Sequence, residues 1–257
     1  MAIGQHDCTQ WSNWDLTQIT GGRGGYYPRG YVRSDGVNAV VYYSPDYHIH
    51  EMALPNGGYW SDTDLSAKTG TGGGEFPIGY QRTGRVSAVV YRNIDGHIHE
   101  LAREFNAITG FYTWQDYDLN KLTGSVGGYF PKGYVRADWV NSVVYSGYDG
   151  HIHELTLENG RWSAWDLSWL SGGAGGQGPM GSVRWDGVTS VVYHSSDGHI
   201  QELTLKNGQW SAFDLTGLSR SRIGGGWPMG DGRNDAGLYQ AVVYAGADGH
   251  IHELVGP

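Results

Sequence analysis

The segment VVYSGYDGHIHEL, from Val143 to Leu155, occurs five times in this chain with small changes, and its repetition dictates the architecture. The other four copies begin at Val40, Val89, Val191 and Val242. Two further motifs recur five times in the same order: a WSAWDL-like segment, and a Pro-x-Gly tripeptide behind a glycine-rich stretch. The chain therefore consists of five copies of one unit of roughly 48 residues.

Each unit predicts four short strands. In the third unit they read GYVRAD, NSVVYSG, HIHELTL and RWSAWDLS, in which Val, Ile, Tyr and Trp are strand formers. Asp149 and Gly150 join the second and third strands as a hairpin, because Asp-Gly tolerates the positive φ angles of tight turns. No segment keeps a 3.6-residue period, so almost no helix is expected. Units of this kind predict an all-β fold, a five-bladed β-propeller of four-stranded antiparallel blades.

The repeats predict a single domain that covers residues 1–257. Its five units are residues 18–66, 67–120, 121–168, 169–216, and 217–257 together with 10–17. The chain opens with a fourth-strand motif at Trp11–Leu16 and stops after a third-strand motif at His250–Leu254. We therefore expect residues 10–17 to supply the outer strand of the last blade, which closes the ring and removes a free sheet edge.

Composition argues against several classes of partner. The net charge is −9 and there is no basic run, so a nucleic-acid partner is not expected. Cys8 is the only cysteine, which excludes an intrachain disulfide and a cysteine-rich metal site, and no cofactor is expected. The first ten residues lack the basic start and apolar core of a signal peptide, and no segment approaches the ~18 apolar residues of a membrane span. We expect no membrane insertion, and a location in the cytoplasm or export by a route that the sequence does not reveal.

One glutamate recurs in every copy of the repeated segment. The five are Glu51, Glu100, Glu154, Glu202 and Glu253. Each is either a buried acceptor for turn amides or an acceptor for sugar hydroxyls in a cleft between blades. A glycosidase needs two carboxyl groups in different catalytic roles, whereas these five occupy equivalent positions of the repeat. No catalytic residue is therefore predicted.

A His-x-His pair precedes the glutamate in four of the five copies. Alternate residues of a strand share a face, so His151 and His153 point the same way. Such a pair chelates a transition metal when a third ligand is near, which makes His151 and His153 the alternative metal ligands. Repetition through the fold favours a hydrogen-bonding role instead.

Aromatic residues recur at two positions of the unit. The WSAWDL-like segments begin with Trp11, Trp60, Trp114, Trp162 and Trp210. These tryptophans either stack on the apolar face of a sugar or pack blade against blade. The glycine-rich loops end in Tyr27, Phe76, Phe130 and Trp227, which we expect to line the same clefts. Gln177 and Gly178 stand there in the fourth unit, so its cleft should be weaker.

An arginine follows each Pro-x-Gly tripeptide by three residues. The five are Arg33, Arg82, Arg136, Arg184 and Arg233. A guanidinium group offers paired donors to carboxylates or vicinal hydroxyls. The favoured interpretation is an ion pair with an acid of the same or the next blade, and the aspartates of the WSAWDL-like segments are the candidates.

The combined pattern of V-Y, D-G-x-I-x-E-L and N-G-x-W resembles the repeat of β-propeller lectins, notably the fungal and bacterial fucose-specific lectins. In that family a glutamate of the I-x-E motif and a tryptophan after a turn hold the sugar between neighbouring blades. The resemblance implies this role for the five glutamates and five tryptophans above. The family's sugar-binding arginine before V-Y is absent, because valine (Val41 or Val90, for example) stands there. The resemblance therefore does not specify fucose.

Together these observations predict a multivalent carbohydrate-binding protein, a lectin with up to five similar sites between blades and no catalytic activity. Its expected partners are glycans, either monosaccharides or oligosaccharides, as on cell surfaces. Two alternatives stay open: a metal-dependent hydrolase or lyase that uses a His-x-His pair, and a propeller that binds another protein.

Overall fold

The computed structural model describes residues 12–221, 224–235 and 237–256. They form five antiparallel sheets, in each of which the strands follow one another in chain order. The strands are β1 (Tyr26–Val32), β2 (Asn38–Tyr43), β3 (Ile49–Leu54), β4 (Ser61–Asp64), β5 (Gly74–Arg82), β6 (Val86–Asn93), β7 (Ile98–Asn106), β8 (Phe111–Asp118), β9 (Gly128–Val135), β10 (Asn141–Gly147), β11 (Ile152–Glu158), β12 (Arg161–Asp166), β13 (Gly176–Val183), β14 (Thr189–Ser195), β15 (Ile200–Lys206), β16 (Gln209–Asp214), β17 (Gly224–Asp235), β18 (Gly237–Gly246) and β19 (Ile251–Gly256).

The five sheets are the blades of a five-bladed β-propeller, which confirms the predicted fold class. Blades one to four have four strands each, and blade five has three among the described residues, β17 to β19. The first strands of successive blades, β1, β5, β9, β13 and β17, pack side by side in that order. They are therefore the inner strands, around which the blades are arranged.

The hydrophobic core lies between the blades. Four buried clusters each combine residues of two successive blades. The tyrosine of the VVY sequence is central to them in blades two to five, where Tyr91, Tyr145, Tyr193 and Tyr244 are fully buried. Face-to-face packing of successive sheets thus stabilises the molecule, as expected for a propeller.

The glycine of Pro-x-Gly is explained by this packing. A Cβ atom added at Gly133 would lie 2.3 Å from the ring of Tyr80, which belongs to the preceding blade. The same ring contact would be 2.4 Å at Gly79, where the ring is that of Tyr31. Only glycine lets these tyrosine rings lie flat on the neighbouring inner strand.

Five one-turn helices interrupt the all-β pattern, and the sequence did not predict them as a regular feature. They are α1 (Leu16–Thr20), α2 (Leu65–Thr69), α3 (Leu119–Thr123), α4 (Leu167–Ser171) and α5 (Leu215–Ser219). Each begins after the aspartate of a WSAWDL-like segment, whose carboxylate accepts a backbone N–H of the first turn, as Asp118 does from Lys121 at 2.9 Å. The helices are too short to produce a hydrophobic period. No helix within the described residues is long and apolar enough to cross a membrane.

The predicted closure of the ring by residues 10–17 is not tested. Residues 1–11, which include Trp11, lie outside the described residues. Residues 12–15 are described and form no strand, and α1 follows them. Closure through this segment stays a prediction.

Candidate functional site

The repeated glutamates of blades one to four are buried and already hold hydrogen bonds. Glu100 and Glu154 are 0% exposed. Glu100 accepts from the hydroxyl of Tyr80 at 2.5 Å and from Nη1 of Arg82 at 2.9 Å. Glu154 has the corresponding tyrosine and arginine bonds. Burial raises the pKa of both carboxyl groups, which the neighbouring arginine and tyrosine partly oppose.

Blade one repeats this arrangement, because Glu51 accepts from Tyr31 and Arg33. Blade four varies it, because Glu202 accepts from Ser190 at 2.7 Å and from an arginine of its own inner strand. These four glutamates therefore act as buried acceptors, with a hydroxyl group and an arginine in place of the expected turn amides. Glu253 is exposed. A sugar could touch the four buried carboxylates only if their partners moved, so a sugar-binding role for them stays a prediction.

The inner-strand arginines form ion pairs, as favoured, but with different acids. Arg136 contacts Glu154 and also Asp138, whose Oδ1 lies 3.1 Å from Nε. Blades one and four have an aspartate at the same place, Asp35 and Asp186. The aspartates of the WSAWDL-like segments, expected as the partners, instead cap the short helices and accept from histidines. The sequence could not distinguish these acids, because the pairing depends on the turn after the inner strand.

Blade two lacks the aspartate of this turn. Gly84 stands where Asp35 and Asp138 stand in their blades. As a result Nε of Arg82 is buried without a hydrogen-bond partner, and its Nη1 lies 3.5 Å from Glu104 as well as near Glu100. Nε of Arg82 is thus left to donate to a ligand, whereas Nε of each equivalent arginine in blades one, three and four donates to an aspartate of its own blade.

Arg82 opens into a cleft of about 570 Å³ between blades two and three. Blade two contributes Arg82, Glu104 and Tyr117, and blade three contributes Arg161, Trp162 and Ser163. The hydroxyl of Tyr117 donates to Glu104 at 2.9 Å, and burial, together with this carboxylate, raises the pKa of Tyr117 to about 12. The cleft therefore combines one half-buried indole with two guanidinium groups, one carboxylate and three hydroxyl groups.

Three tryptophans of the WSAWDL-like segments pack between blades. They are Trp114, Trp162 and Trp210, which lie against the buried clusters of three successive interfaces. Trp60 is half-buried, and Trp11 lies outside the described residues. Trp162 packs against the core and also lines the cleft, whereas sugar stacking by these tryptophans stays a prediction.

The loop-tip aromatics meet one another rather than the glutamates. Tyr27 and Phe76 are 4.9 Å apart between ring centroids, Phe76 and Phe130 are 5.0 Å apart, and Phe130 and Trp227 are 4.5 Å apart. Trp227 occupies the space that a side chain at Gly178 would need, so blades three and five meet across blade four. These residues lie at a bulge near the start of each inner strand, and their sugar-binding role stays a prediction.

A second cleft, of about 950 Å³, lies between blades three and four. It is lined by Phe130, Tyr148, His151 and His194, and by Gln177 of the loop whose missing aromatic residue suggested a weaker site. The cleft is thus present in the blade whose loop carries Gln177 and Gly178 in place of an aromatic residue.

The histidine pairs have the hydrogen-bonding role that their repetition favoured. In blades one to four the first histidine of the repeated segment contacts the helix-capping aspartate of the same blade, as in His151 to Asp166 at 2.7 Å. His48, His97 and His199 repeat this contact at 2.6 to 2.9 Å. Sequence reasoning missed the aspartate partner, although it recurs in every unit.

No protein-family model matches the chain, and no curated protein sequence matches it. Solved structures do match. AofleA from Arthrobotrys oligospora is 15% identical with a TM-score of 0.58, over 88% of this chain and 67% of that chain. The Aleuria aurantia lectin, solved with Fucα1-6GlcNAc, is 14% identical with a TM-score of 0.55, over 88% of this chain and 74% of that chain. SapL1 lectin in complex with α-methyl fucoside is 14% identical with a TM-score of 0.51, over 94% of this chain and 82% of that chain. The chain thus has the fold of these β-propeller lectins, as its repeat pattern implied.

Proposed function

We propose that this protein is a lectin that binds carbohydrate in clefts between its blades, without catalysis. The observation that carries the proposal is the cleft between blades two and three, in which Trp162 faces Arg82, Glu104 and Tyr117. Its volume of about 570 Å³ lies within the range of small-molecule sites.

The chemistry of this cleft suits a sugar. An indole offers a flat apolar surface to the C–H face of a pyranose ring, while its neighbours serve the hydroxyl groups. Arg82 supplies paired donors and Glu104 supplies acceptors, so vicinal hydroxyls can be bound from both sides.

Two of the similar structures contain fucosides, which supports carbohydrate as the ligand class. The sugar-binding arginine expected before V-Y is replaced here by valine, and Val41 and Val90 are fully buried. We therefore propose carbohydrate binding without assigning fucose.

The clefts are unequal, so we propose fewer than five working sites. Between blades one and two, Arg103 bridges to Asp35 at 3.1 Å and stacks over Tyr112. The cleft beside Arg82 lacks this bridge, because Gly84 stands in place of Asp35 and Leu157 in place of Arg103. Several sites of modest affinity would still give strong attachment to a surface that displays many glycans.

A glycan array with the whole protein tests the proposal, and we expect retention of one class of glycan. Glu104→Ala removes an acceptor of the cleft, and we expect it to weaken binding of the retained glycan about tenfold, since hydrogen bonds to charged groups are worth roughly 1.5–3 kcal/mol. Glu158→Ala is the matched control, because Glu158 occupies the same position of blade three and is exposed. An array without any retained glycan, or equal losses in the two variants, would contradict the proposal.

A further inference from the structure

Four side chains of blade two converge at one end of its sheet. Asp95 comes from the turn between β6 and β7, His97 and His99 belong to the start of β7, and Asp118 caps α3. One donor atom from each lies within 4.8 Å of all the others. Among the described residues this is the one group of four, and a smaller group of three occurs in blade three.

The distances in this group match the edges of a small tetrahedron. Oδ2 of Asp118 lies 2.9 Å from Nδ1 of His97 and 3.8 Å from Nε2 of His99. Oδ2 of Asp95 lies 3.9 Å and 3.7 Å from the same two nitrogens. Ligands about 2.0–2.1 Å from a tetrahedral zinc ion are about 3.4 Å from each other. Small side-chain rotations would therefore bring all four donors to a central ion.

His99 is oriented for this role by a second carboxylate. Its Nδ1 lies 2.9 Å from Oδ2 of Asp116, and the side chain is almost fully buried. The amide nitrogen of Asn93 lies 3.2 Å from Nε2. With the Nδ1 proton directed to Asp116, Nε2 carries the lone pair that a metal ion needs, and the ion would take the place of the Asn93 amide. A carboxylate behind a ligating imidazole is the usual second partner in zinc sites.

Blades one, three and four lack one part or another of this arrangement. In blade one His48, His50 and Asp64 are present, but Asp46 is held away by Arg23 and Ser44. In blade three Ala164 replaces the supporting Asp116, and in blade four Gln201 replaces the second histidine. The group in blade two is therefore more than the hydrogen-bonding pattern that all blades share.

We propose that Asp95, His97, His99 and Asp118 bind one divalent transition metal ion, which the two imidazoles, two carboxylates and tetrahedral spacing identify as zinc. The ion ties the hairpin turn at Asp95 to the start of α3. Leu122 and Thr123 at the end of α3 line the cleft between blades two and three, so the ion steadies one wall of that cleft. The site serves the fold, and the proposal does not depend on what the cleft binds.

Zinc titration of untagged protein, first stripped with a chelator, tests the site. We expect one zinc ion per chain by calorimetry and a higher melting temperature in zinc than in chelator. Cobalt in place of zinc should give the intense visible absorption of a tetrahedral complex.

Two conservative variants locate the ion. His97→Gln and Asp95→Asn change partly exposed side chains, so both proteins should fold as wild type in chelator. In the second variant the amide oxygen of the new side chain can still accept the backbone N–H of His97, as Oδ1 of Asp95 does. Each variant should lose the stoichiometric zinc, the melting shift and the cobalt spectrum. His48→Gln, the equivalent change in blade one, should keep all three. The proposal is overturned if wild type takes up no stoichiometric zinc, or if binding survives both blade-two variants.

Discussion

At the residue scale, the tyrosine that stands two residues before the inner-strand arginine in blades one to three links two functions of the fold. Tyr80 packs its ring on Gly133 of the next blade and donates its hydroxyl to Glu100 of its own blade. One side chain thus sets both the distance between blades and the position of the buried carboxylate that holds Arg82.

Gly133→Ala should therefore destabilise the protein strongly. The new methyl group would meet the Tyr80 ring at 2.3 Å, and overpacking of a filled core costs about 1–3 kcal/mol. Gly230→Ala is the control, because its nearest atoms would lie at ordinary contact, 3.4 Å or more. Chemical denaturation should show a clear loss for the first variant and little change for the second. Equal losses would show that backbone freedom, and not the tyrosine ring, requires the glycine.

The sequence could predict the repeat, the blades and the shared face of the histidine pairs, because these follow from periodicity alone. It could not predict that Arg82 differs from Arg136, since this depends on Gly84 in a turn and on the reach of Glu104. Nor could alternation along a strand show that Tyr27 and Phe76 meet each other. The side chains of a site come from different strands and blades, and the residue pattern of one strand does not give the distances between them.

At the element scale, each short helix begins at an aspartate that also binds a histidine. Burial acts to raise the pKa of Asp64, Asp118 and Asp214, but helix amides and histidines hold it below the usual 3.8. The hydrogen bond to Asp166 raises the pKa of His151 above 6.5. For His99, burial opposes the effect of Asp116 on the pKa and is outweighed by it.

These shifts predict a mildly acidic optimum of stability. A depressed carboxyl pKa gives stability that is present above pH 3.8 and is lost as the pH falls through the folded value. A raised histidine pKa gives stability that is present below pH 6.5 and is lost as the pH rises through the folded value. The buried glutamates, whose pKa is raised, add to the loss on the alkaline side.

Melting temperatures between pH 3 and pH 9 test this expectation. We expect a maximum between about pH 4 and pH 6.5, with a decline on both sides. His151→Gln should flatten the alkaline decline, because it removes one of the titrating groups. A melting temperature that rises steadily from pH 5 to pH 8 would contradict the assignment.

At the scale of the whole molecule, blade five has three strands among the described residues, whereas the other blades have four. The three described strands leave β19 at an edge, and Ile251 is exposed there. The corresponding isoleucines Ile49, Ile98, Ile152 and Ile200 are fully buried in clusters shared with the next blade. The predicted pairing of residues 10–17 with β19 would cover this edge and bring blade one against blade five.

Deletion of residues 1–17 should therefore lower the melting temperature markedly. Thermal melts of the full chain and the shortened chain provide the measurement. Deletion of residues 1–9 alone is the matched control and should change little, because the predicted strand is kept. An unchanged melt after the longer deletion would refute closure through this segment.

The clefts between blades differ in their lining residues, and our central proposal is that carbohydrate binds in the cleft between blades two and three. A crystal structure of the protein soaked with the glycan that the array retains tests it most directly. We predict a sugar ring stacked on Trp162, with hydroxyl groups bonded to Arg82 and Glu104. A sugar bound elsewhere with this cleft empty, or no bound sugar at saturating concentration, would contradict the account.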